Sequence, residues 1–134
     1  MQTFEFLTLI FFLLPYITGA LRAILMPEQY RNAEIRFYQS GKPHVFQWFT
    51  FGFNGLALVF LILHFLLETA QAAQILLYAM VILYELMIPF HFMPFFRDRM
   101  VSSLKQKSNE KYRRSGLNHI GIAVVIILLP VLFG

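Results

Sequence analysis

The segment VFQWFTFGFNGLALVFLILHFLLE, residues 45–68, decides the fold together with AAQILLYAMVILYELMIPFHFMPFF, residues 72–96. Each run exceeds the roughly 20 apolar residues that a helix needs to cross a hydrocarbon core about 30 Å thick. Each also contains only a few ionisable side chains, which is typical of a membrane span. Because only residues 69–71 separate the two runs, the sequence predicts a transmembrane helical hairpin.

Two further apolar runs flank the hairpin, at residues 4–26 and 117–134, and the last is barely long enough to span at about 1.5 Å of rise per residue. Apolar residues make up 58% of the 134-residue chain and charged residues 13%, against about 25% charged residues in soluble domains. The sequence therefore predicts an all-α polytopic membrane protein, a single integral membrane domain over residues 1–134 built as a four-transmembrane-helix bundle. The first run has no basic segment ahead of it and ends in Arg22, so we interpret it as a retained helix rather than a cleaved signal peptide.

The 11 Lys and Arg residues predict how the spans are oriented. All of them lie at the end of the first span or in the loops at residues 27–43 and 97–116, and none lies at either terminus or at residues 69–71. Since basic residues in short loops stay on the cytoplasmic side, the N and C termini and residues 69–71 are predicted to be non-cytoplasmic. This bias and the small size of the chain favour a bacterial inner membrane.

The first loop is predicted to contain a short interfacial helix. Pro27 suits the first position of a helix, and Gly41 is a typical stop. Between them an apolar stripe recurs at helical spacing, formed by Tyr30, Ala33 and Phe37. The helix is either a docking surface or an amphipathic connector that rests on the lipid headgroups.

The third loop, residues 97–116, carries a basic cluster. Its members are Arg97, Arg99, Lys105, Lys107, Lys111, Arg113 and Arg114. Such a cluster attracts anionic lipid at roughly 1 kcal/mol per basic side chain near the surface. We expect it to contact anionic lipids at the cytoplasmic face, with a phosphorylated substrate or an acidic partner loop as alternatives. Nucleic acid is not an expected partner, because no stacking platform or binding motif accompanies the charge.

Polar residues inside the second span recur at intervals of three and four residues, as in a heptad seam. The seam consists of Gln47, Thr50, Asn54, Ala57, Leu61, His64 and Glu68. Lipid cannot satisfy such hydrogen-bonding groups, so this face is predicted to meet protein, water or a ligand. The third span carries a matching seam that includes Tyr78 and Glu85.

Glu85 is the predicted centre of this polar seam. Antiparallel positions across the hairpin have residue numbers that sum to about 141, which places Glu85 level with Asn54. An ionised carboxylate at mid-membrane costs several kcal/mol, so we expect a neutral Glu85 that bonds the Asn54 amide. A proton, ion or ligand site at Glu85 is the alternative.

The remaining spans are predicted to differ in their roles. Spans 1 to 3 share the polar centre, while span 4 lies at the periphery with residues 122–129 facing lipid or a partner. In span 3, Pro89 and Pro94 each remove a helical hydrogen bond, which predicts a kink and leaves carbonyls near Glu85 and Phe90 available. A broken helix of this kind either lines a substrate site or is only a packing kink.

Histidines are the remaining candidate ligands. His44, His91 and His119 approach the same leaflet and are the candidates for holding a metal ion or a haem, although their spacing is not a metal motif. The chain has no cysteine, which excludes disulfides and thiolate metal sites. No catalytic motif is present, and no catalytic residue is predicted.

Three functions follow from these features. The first is a small non-catalytic accessory or structural subunit that docks within or stabilises a larger integral membrane protein complex. The second is a haem- or quinone-binding membrane anchor of an electron-transfer complex, using His91 with His44 or His119. The third is a small oligomeric proton or cation transporter that uses Glu85. The sequence requires no cofactor, and the expected partners are the lipid bilayer and other membrane subunits.

Overall fold

A computed structural model of the chain describes residues 2–69, 79, 83 and 87–133. Five α-helices are bounded within these residues, and the fold is all-helical as predicted. They are α1 (Thr3–Leu25), α2 (Pro27–Ser40), α3 (Val45–Leu67), α4 (Pro94–Gln106) and α5 (Asn109–Phe133), with a 3₁₀ helix at Ile88–Phe92 before α4. Of the described helices, α1 and α3 are long and apolar enough to cross a membrane. Tyr78 and Glu85 lie outside the described residues.

The helix predicted in the first loop is confirmed with the expected boundaries. Pro27 occupies the first turn of α2, where its missing N–H costs nothing. The helix ends at Gly41, which adopts a left-handed conformation with φ of 69° and donates its N–H to the Phe37 carbonyl at 2.7 Å. Only glycine takes this conformation without strain, so a terminal glycine sets the direction in which α3 begins.

The central helix is α1, which packs against both α3 and α5. Contacts join the start of α1 to the end of α3, and the end of α1 to the start of α5, so both neighbours run antiparallel to it. A single apolar core lies between the three helices, formed by Leu9, Phe12, Leu13, Ala57, Leu61, Ala123 and Ile126. Span 4 is predicted at the periphery with its outer face open, and α5 has such an exposed face at Ile122, Val124, Val125, Ile127 and Leu128. The expectation that residues 122–129 face only lipid or a partner is wrong for Ala123 and Ile126, which are almost fully buried in the core.

Small residues allow α1 and α5 to approach closely. A Cβ atom at Gly116 would lie 2.8 Å from the carbonyl oxygen of Ala20 and 3.1 Å from the Cβ of Ala23. Such contacts between helix backbones need small side chains, which is a common arrangement in membrane helices. The sequence predicted a fourth span that begins at residue 117. It did not predict the close contact at Gly116, because α5 already begins at Asn109.

A second, smaller cluster lies where α2 and α4 pack together beside the start of α5. It consists of Ala23, Phe37, Tyr38, Leu104 and Tyr112. The prediction of a loop over residues 97–116 is wrong, since α4 and the first two turns of α5 occupy it and only Lys107 and Ser108 lie between the helices. The apolar side chains of Met100, Val101 and Leu104 pack in this cluster, and their burial stabilises a helix where charge alone favours a solvated loop.

The two prolines of the third span separate helical segments instead of bending one. Pro89 lies in the first turn of the 3₁₀ helix, and Pro94 is in the first turn of α4. Met93 between them is extended, and its N–H donates to the carbonyl of Phe90 at 3.0 Å. The expectation that the Phe90 carbonyl is available is therefore wrong, because the 3₁₀ turn uses it.

Candidate functional site

Two adjoining cavities lie at the end of the molecule where α2 covers α1 and α3. The larger has a volume of about 260 Å³ and extends between α1, α4 and α5, while the smaller has about 140 Å³ and lies between α2, α3 and the 3₁₀ helix. Tyr30, Glu34 and Thr50 line both cavities. These three side chains therefore mark the place where the two spaces meet.

One face of α2 forms the wall of both cavities. Tyr30, Glu34 and Tyr38 follow each other at intervals of four residues, so they lie above one another on the same side of the helix. The Tyr38 ring stacks on the ring of His91, with centroids 5.8 Å apart and planes at 21°. Phe51 of α3 meets the same histidine ring edge-on at 6.2 Å. Aromatic rings thus form part of the wall of the smaller cavity.

Glu34 is the acidic group of this site, and the sequence analysis missed it. The Tyr112 hydroxyl donates a hydrogen bond of 2.8 Å to its carboxylate. Burial raises the pKa of Glu34, and the hydrogen bond from Tyr112, the charge of Lys107 and a bond with Tyr30 only partly oppose that rise. The sequence does indicate that Glu34 faces the interior. Glu34 lies one turn from Tyr30 and three residues before Phe37, on the apolar face of an amphipathic helix.

Tyr112 also differs from an ordinary tyrosine. Burial raises its pKa, and the nearby Glu34 raises it further through its charge and through the hydrogen bond. Tyr112 thus keeps its proton and acts as the donor in the pair. The pair joins α2 to α5 across the larger cavity.

The predicted polar seam of α3 faces the smaller cavity through Gln47, Thr50 and Asn54. The Thr50 hydroxyl donates to the Phe46 carbonyl at 3.0 Å, and the Gln47 side-chain oxygen accepts the N–H of His44 at 3.3 Å. Asn54 is 1% exposed, and neither its side-chain oxygen nor its side-chain nitrogen has a partner within the described residues. A buried amide without partners is costly, so this side chain is the strongest sign of a missing partner. Its pairing with Glu85 remains a prediction.

The other end of the seam lies at the opposite end of the molecule. His64 is fully buried, and its Nδ1 lies 2.7 Å from Oε2 of Glu68. The Glu68 carboxylate also accepts the backbone N–H groups of Phe4 at 2.9 Å and Glu5 at 3.2 Å. The first amides of a helix have no partners within that helix, and a carboxylate suits its positive end. Glu68 therefore holds the start of α1.

The three histidines proposed as metal or haem ligands lie in different surroundings. His91 lines the smaller cavity, His119 lines the larger one and packs against Tyr16 with centroids 5.2 Å apart, and His44 begins α3. Burial and the charges of Arg22 and Arg36 lower the pKa of His44. Among the described residues, no three His, Asp or Glu side chains come together as a metal site.

Some of the basic residues make hydrogen bonds that join helices. Arg31 of α2 donates to the carbonyl of Lys107 between α4 and α5, and Arg113 of α5 donates to the carbonyl of Ile24 at the end of α1 at 3.1 Å. Arg22 of α1 lies over the Phe46 ring at 4.6 Å. Of the seven residues predicted to contact lipid, five are exposed, namely Arg99, Lys105, Lys111, Arg113 and Arg114.

The arrangement is suited to binding more than to catalysis. The cavities combine aromatic walls, an amide that has no partner among the described residues and a carboxyl group whose protonated form is favoured by burial. Small-molecule sites combine apolar and aromatic walls with a few polar groups in the same way. Comparison with known proteins adds no assignment, because no family profile, no curated protein and no solved structure matches the chain.

Proposed function

We propose that this chain is a small, non-catalytic subunit of an integral membrane complex, inserted in a bacterial inner membrane as four spans with both termini outside the cytoplasm. The apolar lengths of α1 and α3 support insertion. The fourth span is the apolar part of α5, and the third is residues 72–96.

The placement of charge supports the proposed orientation. The end of α1, the short helices α2 and α4, the start of α5 and the connections at Lys42 and Lys107 contain all 11 basic residues. These segments lie together at one end of the helix bundle. The clustered residues Glu5 and Glu68 lie at the other end. Such a segregation corresponds to a cytoplasmic basic end and a non-cytoplasmic acidic end.

The outer face of α3 supports the proposal because another subunit can pack against it. Opposite the polar seam, exposed small or apolar residues recur at intervals of three and four, and they are Val45, Trp48, Gly52, Gly55, Val59, Ile62 and Leu66. A Cβ atom at Gly52 or Gly55 would meet nothing within 4 Å. A transmembrane helix of another subunit can therefore approach the α3 backbone closely at these glycines, which is how membrane helices associate.

The orientation is tested by cysteine labelling, since the chain has no native cysteine. Thr69 and Ser108 are both exposed, at the acidic and the basic end of the molecule respectively. We expect an impermeant thiol reagent applied from outside the cytoplasm to modify Thr69→Cys and to spare Ser108→Cys until the membrane is permeabilised. The reverse pattern would contradict the orientation.

The subunit role is tested by crosslinking in native membranes. A photoreactive amino acid at Val59, on the outer face of α3, should give one discrete protein adduct, and Gly55→Trp should abolish it while the chain stays folded. Val125, exposed on α5, is the matched position for comparison. Lipid adducts alone at position 59 would contradict the proposal.

A further inference from the structure

We infer that the two adjoining cavities form a binding site for a lipid-soluble quinone, with the ring in the smaller cavity and the tail in the larger one. This inference is independent of the partner interface on α3, since the cavities lie on the opposite, seam side of that helix. Nothing in the proposed subunit role requires a ligand here.

The size of the smaller cavity matches one six-membered ring. Its volume is about 140 Å³. An engineered protein cavity of about 150 Å³ accommodates benzene, so this space is sufficient for a single ring. Its aromatic walls, Tyr38, Phe51 and His91, offer flat surfaces against which a conjugated ring can pack.

Polar groups from two helices line the smaller cavity. Asn54 and Gln47 project from α3, and Glu34 with Tyr30 projects from α2 at the boundary with the larger cavity. Asn54 offers both a donor and an acceptor that have no partner within the described residues. A ring with an oxygen at each end, in either the carbonyl or the hydroxyl form, fits this arrangement because one oxygen can bond the Asn54 amide and the other can face Glu34.

The larger cavity suits an isoprenoid or alkyl tail. Its walls include five side chains without polar groups from α1 and α4, beside polar ones such as Lys107 and Tyr112. The five are Pro15, Ala20, Ala23, Met100 and Leu104. It begins at the residues shared with the smaller cavity, so a tail attached to the ring continues into it. The charges around the cavities disfavour a cationic ligand. Glu34 is the one acidic side chain that lines the described cavities, Lys107 also lines the larger cavity, and the surrounding end of the molecule is basic.

The binding test uses the full chain, purified in a mild detergent, and a benzoquinone that carries a decyl tail as the probe. We expect saturable binding at one site per chain, competed weakly by decanol, which has the tail without the ring. Asn54→Leu keeps the volume of the side chain but removes its hydrogen bonds, and we expect it to weaken binding by about tenfold or more. Gly55→Ala is the matched control, because it adds a methyl group to open space on the other side of α3.

A labelling measurement keeps the test decisive if Asn54→Leu does not fold. An azido derivative of the same benzoquinone should label the wild-type chain within residues 30–38 or 47–54. No saturable binding, equal competition by decanol, unchanged affinity in a folded Asn54→Leu chain, or labelling confined to the outer face of α3 would each overturn the inference. Mass spectrometry of the purified chain would show whether a lipid acyl chain occupies the cavities. An acyl chain that the quinone does not displace would also overturn the inference.

Discussion

The two ends of this molecule differ in how far their polar side chains pair with one another, although the acidic end also buries one oxygen without a partner among the described residues, Oε1 of Glu5. At the acidic end, Glu68 accepts three hydrogen bonds from other parts of the chain, and Gln2 exchanges hydrogen bonds of 2.7 and 3.1 Å with the backbone of Thr69. At the basic end, Asn54 faces a cavity with no partner among the described residues. Polar groups that satisfy one another hold helices in place, whereas polar groups that face a cavity are available to a ligand. This difference is the basis for the proposed ligand site at the basic end.

The largest expected effect comes from forcing the basic end apart. Gly116→Leu places a side chain against the carbonyl oxygen of Ala20, which cannot move aside without shifting α1, so we expect a loss of about 3 kcal/mol in the free energy of unfolding. Gly121→Leu on the same helix is the control, because a Cβ atom there meets nothing within 4 Å. Thermal unfolding in detergent measures both. Equal losses would mean that α1 and α5 are not in close contact at Gly116.

A smaller effect is expected when the acidic end is loosened. Glu68→Gln replaces one carboxylate oxygen by an amide that cannot accept the N–H of a helix start, so the melting temperature should fall by less than it does for Gly116→Leu. Glu110→Gln is the matched change, since Glu110 also pairs with a residue four positions away, Arg114, but on the exposed surface. Exposed pairs of this kind contribute little, so no measurable change is expected there. If both variants behave alike, Glu68 does not hold α1.

The smallest effect is a pH dependence located at the basic end. The folded state raises the pKa of Glu34 above its ordinary value of 4.5, mainly through burial. The folded chain therefore binds the proton more tightly than the unfolded chain, and stability falls as pH rises from about 4.5 through the raised pKa. Glu34→Gln should remove this part of the pH dependence in a series of unfolding measurements, and an unchanged profile would contradict the assignment.

Local patterns predicted much of the helical structure and little of what joins the helices. The apolar runs give α1 and α3 to within about two residues, and the heptad seam contains every fully buried residue of α3. Pro27 and Gly41 mark the ends of α2 because their backbone preferences are local properties. The burial of a helix face is likewise a periodic signal that a single segment carries.

The missed features depend on contacts between distant parts of the chain. Residues 97–106 are helical because α2 covers an apolar stripe that is weak by itself, and Glu34 is partly buried where α5 brings Tyr112 to it. The role of Gly116 follows from the position of Ala20, almost a hundred residues earlier in the sequence. No pattern within one segment specifies such pairs.

The hydrogen bonds of Glu68 have a consequence for synthesis of the chain. Phe4 and its acceptor on Glu68 are separated by 64 positions, so the amides of Phe4 and Glu5 lack the Glu68 carboxylate until α3 has been made in full. At 5–20 residues per second the interval is roughly 3 to 13 s. During that time the start of α1 depends on water or on its own capping residues. In the nascent chain the hydrogen bonds from the start of α1 to Glu68 therefore form only after α3 has returned to the same side. A chain truncated upstream of residue 68 should have a frayed N-terminus.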